Sequence, residues 1–235
     1  MTGATSGIGK KIAIAFAREG WNLICHYSCS GEKVNELRKV IKNHKVDYQG
    51  IKADFTSKEQ IQGFVNKLEE FSIDAIVNNA GTYMVNKYFS ELTVEEIGKT
   101  FMVNVFAPMM ITSKLFISMK EGRFGRIVNI SSIAAKYGGS SYSMHYGCSK
   151  LALEGLSKTL AKEGAEYNVL VNTIRPGVID TEFHKKYPKD MRKRLELIPQ
   201  KKMGQPEDVA GIVYYLGSDK NKFITNEIIA VSGGE

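Results

Sequence analysis

Cysteine is scarce in this 235-residue chain, and Cys25, Cys29 and Cys148 include no Cys-x-x-Cys pair. An odd set without that spacing excludes a disulfide scaffold and a thiolate zinc ribbon. The four histidines, His26, His44, His145 and His184, form no ligand-spaced cluster with them, so no metal is expected. Proline is too rare, at five residues, to argue for disorder. No apolar run approaches the roughly 18 residues of a membrane span, and no basic n-region leads into an apolar h-region. The expected setting is the cytoplasm, with no membrane partner.

What is present is globular: 43% hydrophobic and 24% charged residues over a length suited to one domain, 1–235. The net charge of +7 is concentrated between His184 and Lys202, where eight Lys/Arg face only Asp190 and Glu196. Such a segment favours an anionic ligand or an acidic partner, although a solvated helix face is the plainer reading. Nucleic-acid binders more often carry a whole basic face with interleaved aromatics, so no nucleic-acid partner is expected.

Strand-like runs alternate with helical patterns along the whole chain. "NLICHY", "VDYQGIKA", "DAIVNN", "GRIVNIS", "VLVNTIRP" and "EIIAVSGG" are separated by amphipathic stretches such as "GKKIAIAFAREG" and "KEQIQGFVNKLEEF", and by long ones over 94–119 and 145–166. This βαβα order predicts a doubly wound parallel α/β sheet with helices on both faces. Ligands of such sheets bind beyond the carboxyl ends of the strands, so the residues after each strand carry the chemistry.

Three groups of residues stand at such places. "TGATSGIG" has glycines at 3, 7 and 9 and opens directly into a helix whose first N–H groups suit a phosphate. "YGCSK" sets Tyr146 and Lys150 four apart on one helix face, where an ammonium stabilises a phenolate and fits the phenol for acid–base work. Ser131 and Ser132 end a strand and offer hydroxyl donors, or simply close a loop.

Taken in order, "TGATSGIG", "NNAG", Asn104, "NISS", "YGCSK" and "RPGVIDT" resemble the short-chain dehydrogenase/reductase family over essentially the full chain. The resemblance implies a Rossmann-type fold and hydride transfer between a nicotinamide cofactor and a carbonyl or alcohol. It implies catalytic roles for Asn104, Ser132, Tyr146 and Lys150. It places Gly3, Ser6, Gly7, Ile8 and Gly9 near the pyrophosphate and ribose, and Asp54 and Phe55 at the adenine. Asn78, Ala80 and Gly81 would lie along the adenosine half, Pro176, Gly177, Ile179 and Thr181 beside the nicotinamide. Tyr146 and Lys150 would touch the cofactor too. A non-catalytic dinucleotide-binding regulator would lose one of the catalytic groups, and none is lost.

Pro108 has no N–H to give the Asn104 carbonyl four residues back, which leaves that oxygen for a water linking Lys150 to solvent. No carboxylate ends the second predicted strand of the family pattern: Tyr27 holds that position, followed by Ser28, with Ser30 and Lys33 nearby. This favours NADP(H) over NAD(H). Within the family the chain is most similar to 3-oxoacyl-(acyl-carrier-protein) reductases, which implies an acyl-thioester substrate and an acyl carrier protein as partner. Arg123 matches one carrier-docking position, while Tyr167 replaces the second. Short-chain alcohols, sugars and diketones are the alternative substrates. A substrate lid is expected over 182–203, and the long helices imply a homodimer or homotetramer.

Only Met1 precedes the glycine turn, where the family pattern has about six residues of central strand. The expectation is therefore a sheet with its first strand missing or truncated because this sequence has lost its first residues or starts too late; only if 1–235 were complete would weakened cofactor binding and a low melting temperature follow.

Overall fold

The fold was analysed in a computed structural model that describes residues 1–28, 31–186 and 190–235. Among the described residues six strands form: β1 Leu23–Tyr27, β2 Tyr48–Lys52, β3 Ala75–Asn78, β4 Gly125–Ile130, β5 Val169–Pro176 and β6 Ile228–Val231. The helices are α1 Gly7–Arg18, α2 Gly31–Lys42, α3 Lys58–Leu68, α4 Val94–Phe101, α5 Ala107–Glu121, α6 Ala134–Tyr137, α7 Met144–Gly164, α8 Glu182–Lys186, α9 Met191–Glu196 and α10 Pro206–Gly217. Every expected strand is found, each within three residues of its predicted bounds. All pairings are parallel, as helical crossovers require.

The sheet falls into two blocks, β1-β2 and β3-β4-β5-β6. The expected gap lies between β1 and β3, and Met1–Ala4 cross it only at its carboxyl end. There the Met1 amine donates to the Ile24 carbonyl at 2.6 Å, His26 N to the Met1 carbonyl at 2.9 Å, Ala4 N to the His26 carbonyl at 3.1 Å and Thr2 N to the Val77 carbonyl at 2.9 Å. Behind this row a cavity of about 980 Å³ opens between Leu23, Ile24, Phe64, Ile76 and Leu115.

Two apolar cores cover the faces. One packs α1 and α10 on the sheet through Ile12, Phe16, Val128, Val213 and Leu216; the other packs α3 and α5 through Phe64, Leu68, Ile111, Phe116 and Ile127. The helix expected over 94–119 is not uniform. A capping box of Thr93 and Glu96 starts α4, and a π-helical turn at Met102–Phe106 separates it from α5, with Ala107 N–H reaching back five residues to the Met102 carbonyl. Pro108 explains the defect, since it has no donor to continue the ladder. Val94–Glu121 is long and apolar enough to cross a membrane, contrary to the reading that no run approached that length, yet 56% of its most apolar window is buried in this fold.

Candidate active site

The glycine turn is shaped by contacts that leave no room for side chains. Gly3 has φ +63, and a Cβ on Gly9 would sit 2.1 Å from the Gly3 carbonyl oxygen. Thr2 Oγ1 accepts from both Asn79 N and Ala80 N at 3.0 Å, and Asn79 Nδ2 donates to the Thr2 carbonyl at 3.1 Å and the Gly3 carbonyl at 2.9 Å. On the other side Gly3 N donates to His26 Nδ1 at 3.1 Å, while His26 Nε2 donates to the Ala53 carbonyl at 2.9 Å. Burial pushes His26 down to about 4, which keeps Nδ1 an acceptor at neutral pH.

The turn fits a dinucleotide phosphate. Ser6 caps α1 without a side-chain bond to its first turn, and no acidic residue lies in that turn, so the helix dipole there is uncompensated. Thr181, from the segment after β5, stands 3.2 Å from where a Gly7 Cβ would be, which brings the two sides of the cleft together.

The expected acid–base pair, Tyr146 and Lys150, lies at the start of α7. Lys150 is 3% exposed, and its Nζ donates to the Ile130 carbonyl at 2.8 Å and lies 5.8 Å from the Tyr146 ring centre. Burial lowers the ammonium to about 8. Asn104, in the π turn, donates through Nδ2 to the Thr82 carbonyl at 2.7 Å and to Ser149 Oγ at 2.9 Å, and its Oδ1 accepts from Thr82 N at 2.9 Å. A Cβ on Gly81 would lie 3.0 Å from Lys150 Nζ and 3.5 Å from Asn104 Oδ1, so these three residues converge. Ser132 Oγ accepts from Ala134 N at 3.1 Å, which closes the loop after β4. The rings of Tyr83 and Phe183 stand 5.6 and 6.0 Å from that of Tyr146.

Not every expected residue faces the cleft. Asn78 is 1% exposed and turns its amide inward to Thr112 Oγ1 at 2.9 Å and Asn129 Oδ1 at 2.7 Å, so its side chain braces β3 against β4 and α5. Phe55 stacks its ring on His26 at 3.8 Å, and Ile179 packs in the core, so both side chains are buried away from the cleft. Pro176 is buried, and Gly177 is held so close to Ser232 that a Cβ would meet its Cα at 2.8 Å. Asp54 is exposed and accepts at Oδ1 from Thr56 N and Oγ1, both at 2.9 Å. Ile8 and Ala80 are half-buried beside the turn. Tyr27 is half-buried and Ser28 exposed at the end of β1, whereas Ser30 lies outside the described residues.

Thr2, Asn79 and His26 support the turn and were not singled out from the sequence. Asn79 sits inside "NNAG", and the signal was present but ambiguous between its two asparagines. In the basic segment, Asp190 caps α9 by accepting from Lys193 N at 3.1 Å, and Arg194 pairs with Glu235. The expected lid includes 187–189 and the side chains of Lys185 and Lys186, which lie outside the described residues. Arg123 stands 5.9 Å from the Tyr167 ring centre, and Lys120 Nζ lies 4.3 Å from the same ring. Among the described residues no three of His, Cys, Asp and Glu group as metal ligands.

Comparison with known proteins gives one consistent result. A family profile described as enoyl-(acyl carrier protein) reductase matches residues 3–235. The 3-oxoacyl-[acyl-carrier-protein] reductase of Aquifex aeolicus is 34% identical over 238 residues, covering 100% of this chain and 95% of that protein. A solved 3-oxoacyl-(acyl-carrier-protein) reductase of Agrobacterium tumefaciens with NADP bound superposes with TM-score 0.90 at 26% identity, covering 100% and 92%. Levodione reductase superposes with TM-score 0.89, also at 26% identity, covering 99% and 95%.

Proposed function

The chain belongs to the short-chain dehydrogenase/reductase family, and from that premise we propose that it reduces the 3-oxo group of an acyl thioester with NADPH. The observation that carries this reading is the convergence of Tyr146, Lys150, Asn104 and Gly81 at one end of the sheet, across from a turn built for a phosphate. A bound nicotinamide would supply the hydride.

Tyr146 gives its phenolic proton to the carbonyl oxygen as charge develops there, and Ser132 donates a second hydrogen bond to the same oxygen. Lys150 stabilises the phenolate left behind. With its ammonium lowered to about 8, it also passes a proton on near neutral pH. The Asn104 carbonyl, which Pro108 cannot cap, holds a water that completes the path to solvent.

The NADP preference rests on Tyr27 and Ser28 at the end of β1, where a carboxylate would repel a 2′-phosphate. Carrier docking falls to Arg123 with Lys120, whose cation over Tyr167 stands near the lost second basic position. Phe106, Met109, Met110 and Ile117 are exposed on and beside α5 and Leu151 on α7, which supports a homodimer or homotetramer. We assign the protein to the cytoplasm. The aromatic rings of Tyr83 and Phe183 favour a compact cyclic diketone as the second reading.

The test is NADPH and NADH consumption against acetoacetyl thioesters, sugars and diketones. Faster NADPH oxidation with an acetoacetyl thioester is expected, and Arg123→Glu raises KM for an acyl-carrier substrate while leaving a free thioester unaffected. Turnover of diketones alone overturns the acyl assignment, and turnover of none overturns the enzyme.

A further inference from the structure

One turn beyond Lys150 lies an ion pair with a buried carboxylate that the reaction does not use directly. Glu154 follows Lys150 by one turn of α7, and its side chain is 2% exposed. Its Oε1 accepts from Ser131 Oγ and from Arg175 Nε, both at 2.7 Å, and its Oε2 accepts from Arg175 Nη2 at 2.6 Å. Three elements therefore meet at one carboxylate. We propose that Glu154, with Arg175 and Ser131, is a positioning residue that fixes Ser132 against Tyr146 and Lys150; this rests on the reductase reading above.

The placement favours alignment over simple stability. Ser131 immediately precedes Ser132, Arg175 immediately precedes Pro176 at the nicotinamide side, and Glu154 shares the helix face of Tyr146 and Lys150. Further bonds tie the same elements at the same level: Lys150 Nζ to the Ile130 carbonyl, Ser131 N to the Ile174 carbonyl at 2.8 Å and Ile133 N to the Pro176 carbonyl at 2.9 Å. A buried ion pair seldom stabilises a fold more than apolar residues of the same volume would. What a two-pronged Arg–carboxylate contact does supply is fixed geometry. Proton and hydride transfer punish small displacements, with an ångström of misplacement costing on the order of a hundredfold.

The experiment compares Ser131→Ala, Ser131→Thr and Glu154→Gln with the wild type on one substrate. It records kcat, KM for NADPH, melting temperature, and hydrogen exchange of the amides at 130–133 and 146–150. Expected for Ser131→Ala is a kcat lower by roughly tenfold to a hundredfold, with KM for NADPH within about twofold and faster exchange at both segments. Ser131→Thr restores the hydroxyl and the rate, and Glu154→Gln falls between. Wild-type kcat and exchange in Ser131→Ala overturn the proposal, as does a rate loss matched by a rise in KM or a fall in melting temperature. If the wild type turns over no carbonyl, the reductase reading fails by itself, and unchanged exchange in Ser131→Ala then overturns the clamp separately.

Discussion

The two seams of the sheet that border the cleft are built very differently. At the β4–β5 seam six consecutive residue pairs are in register, and nearly every residue is buried. Asn129, Ser157 and Thr173 cross-link it by side-chain bonds of 2.7 to 2.8 Å. At the β1–β3 seam Met1–Ala4 supply a single row of bonds above a cavity of about 980 Å³. The half to which we assign the proton chemistry is preorganised by its own sheet, whereas the half proposed to receive the dinucleotide depends on Thr2, Asn79 and His26. Damage to the first seam should appear in kcat and damage to the second in cofactor affinity and stability.

Tyr146→Phe gives the largest effect and sharpens the contrast. Removing the phenolic proton lowers kcat by roughly 10²- to 10⁴-fold, while binding of NADPH, measured by fluorescence titration, stays within about twofold. A parallel loss of cofactor affinity would mean that the two halves are not separable. Lys150→Ala acts in the same sense but changes the binding side too, because Lys150 faces Gly81.

Acid breaks the weaker seam first. His26 is held near 4 by burial, below its ordinary 6.5, so the folded state resists a proton that the unfolded chain accepts. The unfolded state binds more protons between those values, and stability is intact above pH 6.5 and lost progressively as pH falls toward 4. The full difference is roughly 3 kcal/mol, from about 1.4 kcal/mol per unit. Urea denaturation at pH 7 and pH 4.5 measures it, and His26→Gln should flatten the dependence in that window.

In residues 1–235 β1 and β3 are joined only through the Met1–Ala4 row, and a strand placed below that row should pair the rest. A six-residue apolar extension joined to Met1 gives the facing edges of β1 and β3 hydrogen-bonding partners. The expected rise in melting temperature is about 5–10 °C, corresponding to roughly 2–3 kcal/mol in a chain of this size. Tighter NADPH binding should accompany it. The same extension carrying a central proline should give less of both, and no gain from either would remove the physical weight placed on the cavity.

How legible all this was in the sequence depended on what kind of information each feature needs. The strands were readable because buried parallel strands are near-continuous apolar runs, as in "GRIVNI". The open edge between β1 and β3 was expected because in the family pattern a strand leads into the glycine turn. Pro108 announced its missing donor but not the π turn that accommodates it, because helix periodicity looks the same on both sides of such a defect. Residues whose side chains are buried away from the cleft were the hardest. Phe55, in the turn after β2, and Asn78, at the end of β3, stand next to the cleft in sequence, yet both side chains are buried, and only the neighbouring Asn79 reaches the turn. The pairing of Glu154 with Arg175 spans 21 residues, and no local pattern in the sequence marks it.

Asn79→Ala gives the smallest effect and tests the brace directly. The amide spans two carbonyls, those of Thr2 and Gly3, and its loss leaves the turn with the main-chain bonds to Thr2 Oγ1 and the His26 contact. Two neutral hydrogen bonds of about 1 kcal/mol each are at stake, and water recovers part of that because Asn79 is only half-buried. KM for NADPH should rise about fivefold to tenfold with kcat changed less than twofold. Because Ala keeps the Asn79 N–H that donates to Thr2 Oγ1, the strand end itself should stay in place. A drop in kcat as large as the rise in KM would show that the turn and the acid–base pair move together, and that the loosely closed seam reaches into the rigid half.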